Sequence, residues 1–364
     1  MIMKHKHSGT KTFLRFSTIL SIVAILFISA GCKLIENLHP ELVQRGEEFP
    51  GSKECSKCHI DIYNEWVESS HSNSYTNEAF KVSTNNYEFK FCLGCHVPET
   101  IFKSQSGNPA DKSGVGLSTL KDEEIAARSY KLADGVDCQG CHLTADCTLA
   151  GPHSGVSPHP TEKREKLYKT SALCGICHRD TMEEYLAYTE GGGEATCQEC
   201  HMPAVNRKLI QNEPWQKLHA RKEGKAHTFS RLSAIKKKRD FIELEFAEID
   251  NGNYQITGNV EITNTNVSHS IPTGKYGYRE ILLLINLKDN LGAIIKSKQE
   301  SMFMELNTQL NPGEKRIVNF IFDLKGKNSV LKWLEASLFR TNFDRADRTE
   351  FASVKMELDQ SMKD

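Results

Sequence analysis

The chain has 364 residues, of which 38% are hydrophobic and 26% are charged. This balance is typical of a globular protein and excludes a disordered chain, a collagen-like repeat and a protein with many membrane spans. The 46 basic and 47 acidic residues nearly cancel, so the charge does not indicate a nucleic-acid partner. The length favours two domains.

The N-terminus has the pattern of an export signal. Residues 1–15 carry four basic side chains and no acidic one, and an apolar run at 19–30 ends close to Cys32. This run is shorter than the roughly 20 residues of a membrane-spanning helix. The segment Ser29-Ala30-Gly31-Cys32 resembles a bacterial lipobox. We therefore expect a lipoprotein signal peptide at 1–31, with Cys32 as the lipid anchor.

An uncleaved N-terminal anchor and cleavage without lipidation are the two alternatives. Under each interpretation the protein works outside the cytosol. The lipidated form would be held in the bacterial cell envelope, on the periplasmic side or at the cell surface.

Ten of the 12 cysteines form five copies of one motif, C-x-x-C-H. This is the attachment signature of haem c, because two thiols three residues apart reach the two vinyl groups of one porphyrin and the histidine reaches the iron. Chance placement predicts roughly 0.02 such motifs in a chain of this composition. The copies are Cys55, Cys58 and His59; Cys92, Cys95 and His96; Cys138, Cys141 and His142; Cys174, Cys177 and His178; and Cys197, Cys200 and His201.

Zinc knuckles and disulfides are the alternatives for these cysteines, but neither requires a histidine directly after every second cysteine. The sequence therefore predicts five covalently bound haem c groups. Cys147 belongs to no motif, and we expect it to be a small buried side chain.

Each haem needs a second axial ligand if its iron is six-coordinate. We expect these ligands among the histidines outside the motifs, with His39 the weakest candidate. Met182 and Met202 lie too near motif histidines to reach across their own haems. One open or differently ligated haem remains an alternative. The other candidate metal ligands are His71, His153, His159, His219, His227 and His269.

The motifs end at His201, and from about Phe241 the chain has the alternation of strands. Roughly six or seven short strands, separated by turns such as Asn251-Gly252-Asn253, predict an all-β, sandwich-like domain. The motif-bearing stretch has short helical patterns, one of them at Thr119 to Tyr130, and much irregular chain. We predict a linker at 32–50, a mostly helical or irregular pentahaem cytochrome c domain at 51–234, and the β-sandwich domain at 235–364.

Several stretches go beyond the bare motif. The segment Trp66-Val67-Glu68-Ser69-Ser70-His71 fits W-x-x-S-x-H, Gly135-Val136-Asp137 precedes the third motif, Met202-Pro203 follows the last, and Ala226-His227-Thr228-Phe229 comes later. Together they resemble a family of multihaem c-type cytochromes whose best-known member is the tetrahaem partner of hydroxylamine oxidoreductase. The resemblance implies that His71 and His227 are distal haem ligands.

The segment Val267 to Gly274 resembles an H-x-x-P-T-G stretch of β-domains that are appended to such cytochromes. Whether His269 reaches a haem or only shapes the turn at Pro272-Thr273-Gly274 stays open at this point.

An electron-transfer protein is the first hypothesis, because haems with two protein ligands have no open position and histidine pairs imply low potentials. Its partners would be redox proteins of the envelope electron-transfer chain and, through the lipid, the membrane. The second hypothesis is a reductase or oxidoreductase of small nitrogen or sulfur compounds, which needs one open haem with acid–base groups such as His153 and His159 beside it. A subunit of an extracellular haem filament is the third, and a lipid anchor disfavours it.

Overall fold

The computed structural model describes residues 35–36, 38–102, 125–188, 195–230, 241–325, 331–341 and 348–358. The predicted signal peptide, its Cys32 and the predicted domain boundary at 234/235 lie outside these ranges. Within them, no helix has the length and apolar character needed to cross a membrane.

The motif region (residues 38–230) is built of short helices. The α-helices are α1 (Ser52–Cys55), α2 (Ile60–Val67), α3 (Glu78–Ser83), α4 (Leu93–His96), α5 (Cys138–His142), α6 (Glu165–Tyr168), α7 (Ala172–Gly175), α8 (Arg179–Tyr188) and α9 (Cys197–His201). Single 3-10 turns lie at Pro40–Val43, Lys90–Cys92, Leu132–Asp134 and Trp215–Leu218. Two small sheets complete the region: β1 (Leu149–Gly151) pairs in parallel with β2 (Thr161–Lys163), and β3 (Ala204–Arg207) pairs antiparallel with β4 (Lys222–Lys225).

Side-chain caps start two of the motif helices directly at a cysteine. Asp137 precedes α5, and its carboxylate accepts a hydrogen bond from the Gly140 backbone N–H at 2.7 Å. Thr196 precedes α9 and forms a reciprocal capping box with Glu199. Because residues i and i+3 of a helix lie on one face, each cap directs both thiols of its motif to the same side.

The β unit (residues 241–358) consists of long antiparallel strands. They are β5 (Ile242–Asn251), β6 (Gln255–Asn264), β7 (Glu280–Asp289), β8 (Ile294–Phe303), β9 (Lys315–Asp323), β10 (Leu331–Thr341) and β11 (Arg348–Glu357). One sheet has the order β5-β6-β9 and the other has the order β11-β10-β7-β8. A single core of 22 buried apolar residues, centred on side chains such as Ile262, Leu283 and Phe320, holds the strands together.

The predicted fold class is wrong. The described structure is 24% helix and 32% strand, and its several sheets include two inside the motif region. All five motif helices end at or before the motif histidine and are only four or five residues long. Residues 125–130, inside the predicted helix at Thr119 to Tyr130, form isolated bridges instead of a helix. Cys147 is exposed rather than buried.

A buried arginine ties the loops before the third motif together. Arg128 donates hydrogen bonds to the carbonyl oxygens of Pro98, Tyr130 and Lys131 at 3.1 Å each, and to that of Gly135 at 2.5 Å. Its Nη1 also lies 3.3 Å from Oδ1 of Asp137, and both side chains are almost fully buried. Burial raises the pKa of Asp137 to about 6, although the charge of Arg128 opposes this shift. The arginine therefore holds both the helix cap and the loop in front of it.

We predict that Arg128→Met lowers the free energy of unfolding by about 3–5 kcal/mol, because it leaves a buried carboxylate and buried carbonyls without their donor. Thermal unfolding followed by circular dichroism measures this change. The control is Lys81→Met, which removes an exposed ion pair with Glu78 and should cost less than about 1 kcal/mol. Equal losses in the two variants would contradict the assignment.

Candidate functional site

All five motifs line one connected cavity of about 3000 Å³ that extends to the β unit. The apolar cluster of the motif region has only seven buried residues, against 22 in the β unit. Protein interiors are normally close-packed, so a space of this size fits large apolar groups that fill it. Five porphyrins attached to the lining cysteines are such groups.

Backbone carbonyls orient four of the five motif histidines. Nδ1 of His59 donates to the carbonyl oxygen of Leu209 at 2.8 Å, and Nδ1 of His142 donates to that of Ala150 at 2.7 Å. His96 and His201 make the same bond, to the carbonyl oxygens of Ser74 at 2.9 Å and Ser230 at 2.7 Å. A hydrogen bond at Nδ1 fixes the tautomer and leaves Nε2 with a free lone pair for a metal ion.

Four motif histidines face a second histidine ring. A metal ion binds an imidazole nitrogen at about 2 Å, so two rings on opposite sides of one ion have centroids roughly 6 Å apart. The observed centroid distances agree with this value: 6.5 Å for His59 and His159, 6.2 Å for His178 and His71, 6.3 Å for His142 and His227, and 6.3 Å for His201 and His269.

Burial keeps these rings neutral. It lowers the pKa of His71 and His227 to about 3, and that of His159 and His178 to about 4. Neutral imidazole is the form that coordinates a metal, so the rings are in the ligand state at neutral pH.

The W-x-x-S-x-H segment is held by hydrogen bonds to the residues just before the third motif, and these bonds position His71. Trp66 Nε1 donates to the carbonyl oxygen of Val136 at 2.8 Å, and the Val136 N–H donates to the carbonyl oxygen of His71 at 2.8 Å. Gly135 has φ +58°, and a Cβ there would lie 2.3 Å from the same His71 oxygen. Glycine is therefore required at this close approach, which explains why glycine precedes the third motif.

Glu65 on α2 places His227. Its Oε2 accepts hydrogen bonds from the His227 backbone N–H at 2.9 Å and from Arg207 at 2.7 Å. Phe229 then lies between two distal rings, 4.1 Å from His71 and 5.9 Å from His227, with both contacts edge-on. One aromatic side chain therefore packs against both rings.

His269 reaches the motif region from the connection between β6 and β7. Glu184 of α8 accepts hydrogen bonds from the Ser270 N–H at 2.9 Å and the Thr273 hydroxyl at 2.8 Å. Lys275 forms an ion pair with Asp180 at 3.3 Å. The turn thus docks on the helix that follows His178. The sequence did not identify Glu184 as a functional residue. A glutamate on an amphipathic helix has no sequence pattern that distinguishes it from other surface residues.

The structure does not bring every candidate to a motif. Nε2 of His153 donates to the carbonyl oxygen of Glu223 at 2.8 Å, and His39 is exposed beside Glu41. Nε2 of His219 is buried without a hydrogen-bond partner, and its ring faces no other histidine ring. For His39 and His153, ligation has no support from geometry. His219 lies near His59 and keeps an unpartnered buried nitrogen, so it stays a candidate.

His96 differs from the other motif histidines. The described ranges include every histidine after His7, and within them no second histidine ring faces His96. The ring that packs on it is Phe80, stacked at 3.7 Å and 10°. Phe80 packs against the face of the imidazole, whereas Nε2 lies at its edge, opposite the Nδ1 bond to Ser74. A metal ion at the second motif would therefore have one histidine ligand.

Contacts between cysteines connect the motifs. The thiol of Cys55 lies close to that of Cys138, that of Cys95 close to that of Cys177, and that of Cys174 close to that of Cys197. Cys141 also lies near both cysteines of the fourth motif. The fourth motif is thus adjacent to the second, third and fifth, and the third is adjacent to the first. These cysteines would hold attached groups next to one another.

No protein-family model and no curated protein matches the chain. Its fold is similar to the crystal structure of a penta-heme cytochrome c552 from Thermochromatium tepidum, at 16% sequence identity and a TM-score of 0.58. The alignment covers 85% of this chain and 98% of that one. The two chains therefore share a fold over nearly the whole length of that protein.

Two further structures align over a smaller part of the chain. A beta-glucosidase from Kluyveromyces marxianus has 15% identity and a TM-score of 0.19 over 33% of this chain and 14% of that one. A beta-glucuronidase from Bacteroides uniformis has 10% identity and a TM-score of 0.19 over 32% and 13%. Similarity this low carries no information about fold or function.

We predict that His227→Ala converts one haem, the one held by His142, from low spin to high spin, because the iron loses its second imidazole. Electron paramagnetic resonance of the oxidised haem-loaded protein measures the change. His153→Ala is the control and should leave the spectrum as it is. A high-spin signal that appears in the control but not in His227→Ala would contradict the pairing.

We also predict that Glu184→Gln weakens the docking of the β6–β7 connection by about 1–3 kcal/mol, because the carboxylate accepts two hydrogen bonds. A fraction of the haem held by His201 should then lose His269 and become high-spin. Glu183→Gln, on the exposed neighbouring residue of the same helix, is the matched control. Identical spectra for both variants would show that Glu184 does not position His269.

Proposed function

We propose that this protein is a multihaem c-type cytochrome that transfers electrons. The pairing of four motif histidines with four distant histidines at 6.2–6.5 Å carries the proposal. Two imidazoles leave an iron no free coordination position, so such a centre accepts and passes electrons without binding a substrate. Bound haem supplies an iron that alternates between two oxidation states.

The residues of this chain hold and space the groups. The ten motif cysteines would attach five haem c groups, and the motif histidines would bind the irons on one side. His71, His159, His227 and His269 would bind four of them on the other side. The contacts between cysteines support a connected chain of haems, in which the fourth is the branch point between the second, third and fifth.

The N-terminal residues support a cellular location. We infer that the protein is exported, loses residues 1–31 and is held in the bacterial cell envelope by a lipid on Cys32. Redox proteins of the envelope would donate and accept its electrons. The lipid would keep the protein close to a membrane-bound partner.

His96 has no second histidine ring opposite it among the described residues, and this favours a second candidate function. A haem with one protein ligand has a position for a small molecule, as an oxidoreductase of small nitrogen or sulfur compounds requires. In this case the other four haems would supply electrons to the second one.

The test is a reductive titration of the purified protein together with a pyridine haemochrome assay of its haem content. We expect one electron per haem, five haems per chain, low midpoint potentials and rapid reoxidation by an electron acceptor protein. Low-spin signals should account for the paired haems. A protein that contains no covalent haem, or whose haems are reduced but cannot be reoxidised by another protein, would contradict electron transfer.

A further inference from the structure

The β unit places a charged loop beside the second motif. The connection between β6 and β7 is anchored on α8 through Thr273 and Lys275, as described above. Beyond that anchor, the ring of Tyr276 lies 6.1 Å from the ring of Phe91, which directly precedes Cys92. The loop therefore lies next to the chain that would carry the second haem.

Arg279 is held in place at the end of this loop. Its Nε donates to the carbonyl oxygen of Tyr276 at 3.2 Å, and its Nη1 donates to that of Thr273 at 2.9 Å. Gly274, with φ +85°, leaves room for the guanidinium, since a Cβ there would lie 3.2 Å from its Cζ and Nη1. The guanidinium thus has a fixed position.

Arg279 lies near the second motif. The carbonyl oxygen that accepts the hydrogen bond from its Nε belongs to Tyr276, and the ring of Tyr276 contacts Phe91 next to Cys92. His96, Cys92, Tyr276 and Arg279 line the same cavity. The β unit therefore contributes a fixed cation to the surroundings of His96, the one motif histidine that faces no second histidine ring within the described residues.

The contact between Phe91 and Tyr276 lies at the surface, because Phe91 is 59% exposed and Tyr276 is 71% exposed. The chain segment that leads into Cys92 is therefore exposed to solvent.

We propose that the haem centre held by Cys92, Cys95 and His96 binds a small anion, and that Arg279 of the β unit provides the charge that selects anions. The inference rests on the second candidate function, in which this centre has an open position. It adds the class of ligand and gives the β unit a part in binding. An anion on the iron would be stabilised by a guanidinium in a partly desolvated site.

The experiment compares ligand binding by the haem-loaded wild-type protein, Arg279→Gln and Lys315→Gln. Lys315 is an exposed cation of the same unit, so its variant controls for net charge. Azide and nitrite are the anionic probes for the oxidised protein, and imidazole is the neutral probe. We expect Arg279→Gln to weaken binding of both anions by roughly ten- to hundredfold, while imidazole binding stays within about twofold. Lys315→Gln should bind all three probes as the wild type does.

The outcomes distinguish a failure of the role of Arg279 from a failure of the open haem position on which that role depends. A wild-type protein without a high-spin haem, and without any response to the three probes, would overturn the open position itself. A wild-type protein that binds azide and nitrite, but whose affinity for them survives in Arg279→Gln, would overturn the role of Arg279 alone. If Arg279 holds a haem propionate instead, the variant should shift a midpoint potential and change binding of anions and imidazole equally.

Discussion

The pairing of imidazole rings across a shared centre is the constraint on which the motif region depends. Each pair joins segments far apart in the sequence, such as His71 with His178 and His142 with His227. Few of the backbone hydrogen bonds in this region come from long helices or sheets, and its apolar cluster is small. The proposed haem groups would therefore contribute much of the apolar packing in this region, whereas the β unit has a protein core of its own.

Around each pair, the protein controls the rings through main-chain groups. Carbonyl oxygens accept the Nδ1 protons of His59, His96, His142 and His201, so Nε2 of each ring would be left for a metal ion. The distal rings are placed by longer-range contacts, such as Glu65 for His227 and Glu184 for the loop of His269. Substitutions remote from the irons can therefore change their coordination.

The sequence alone predicted the cysteines to which haem would attach, because all the residues of a C-x-x-C-H motif lie within five consecutive positions. Resemblance to a family added the expected roles of His71 and His227. It could not match any distal histidine to its motif, since pairs such as His59 with His159 are formed by the path of the chain and leave no local pattern. Glu184 and Arg279 were missed for the same reason. The fold class was wrong because periodicity suggests helices of ordinary length, whereas most helices that carry motifs end near the histidine.

The order of the pairs along the chain has a consequence for assembly. The second member of each pair is His159, His178, His227 and His269 in turn, so a chain that emerges from its N-terminus can close the pairs one after another. The last pair needs the connection between β6 and β7, which lies beyond the first two strands of the β unit. A centre at the fifth motif could therefore be completed only after the chain as far as His269 has been exported, and a product truncated before that residue would leave His201 without its partner ring.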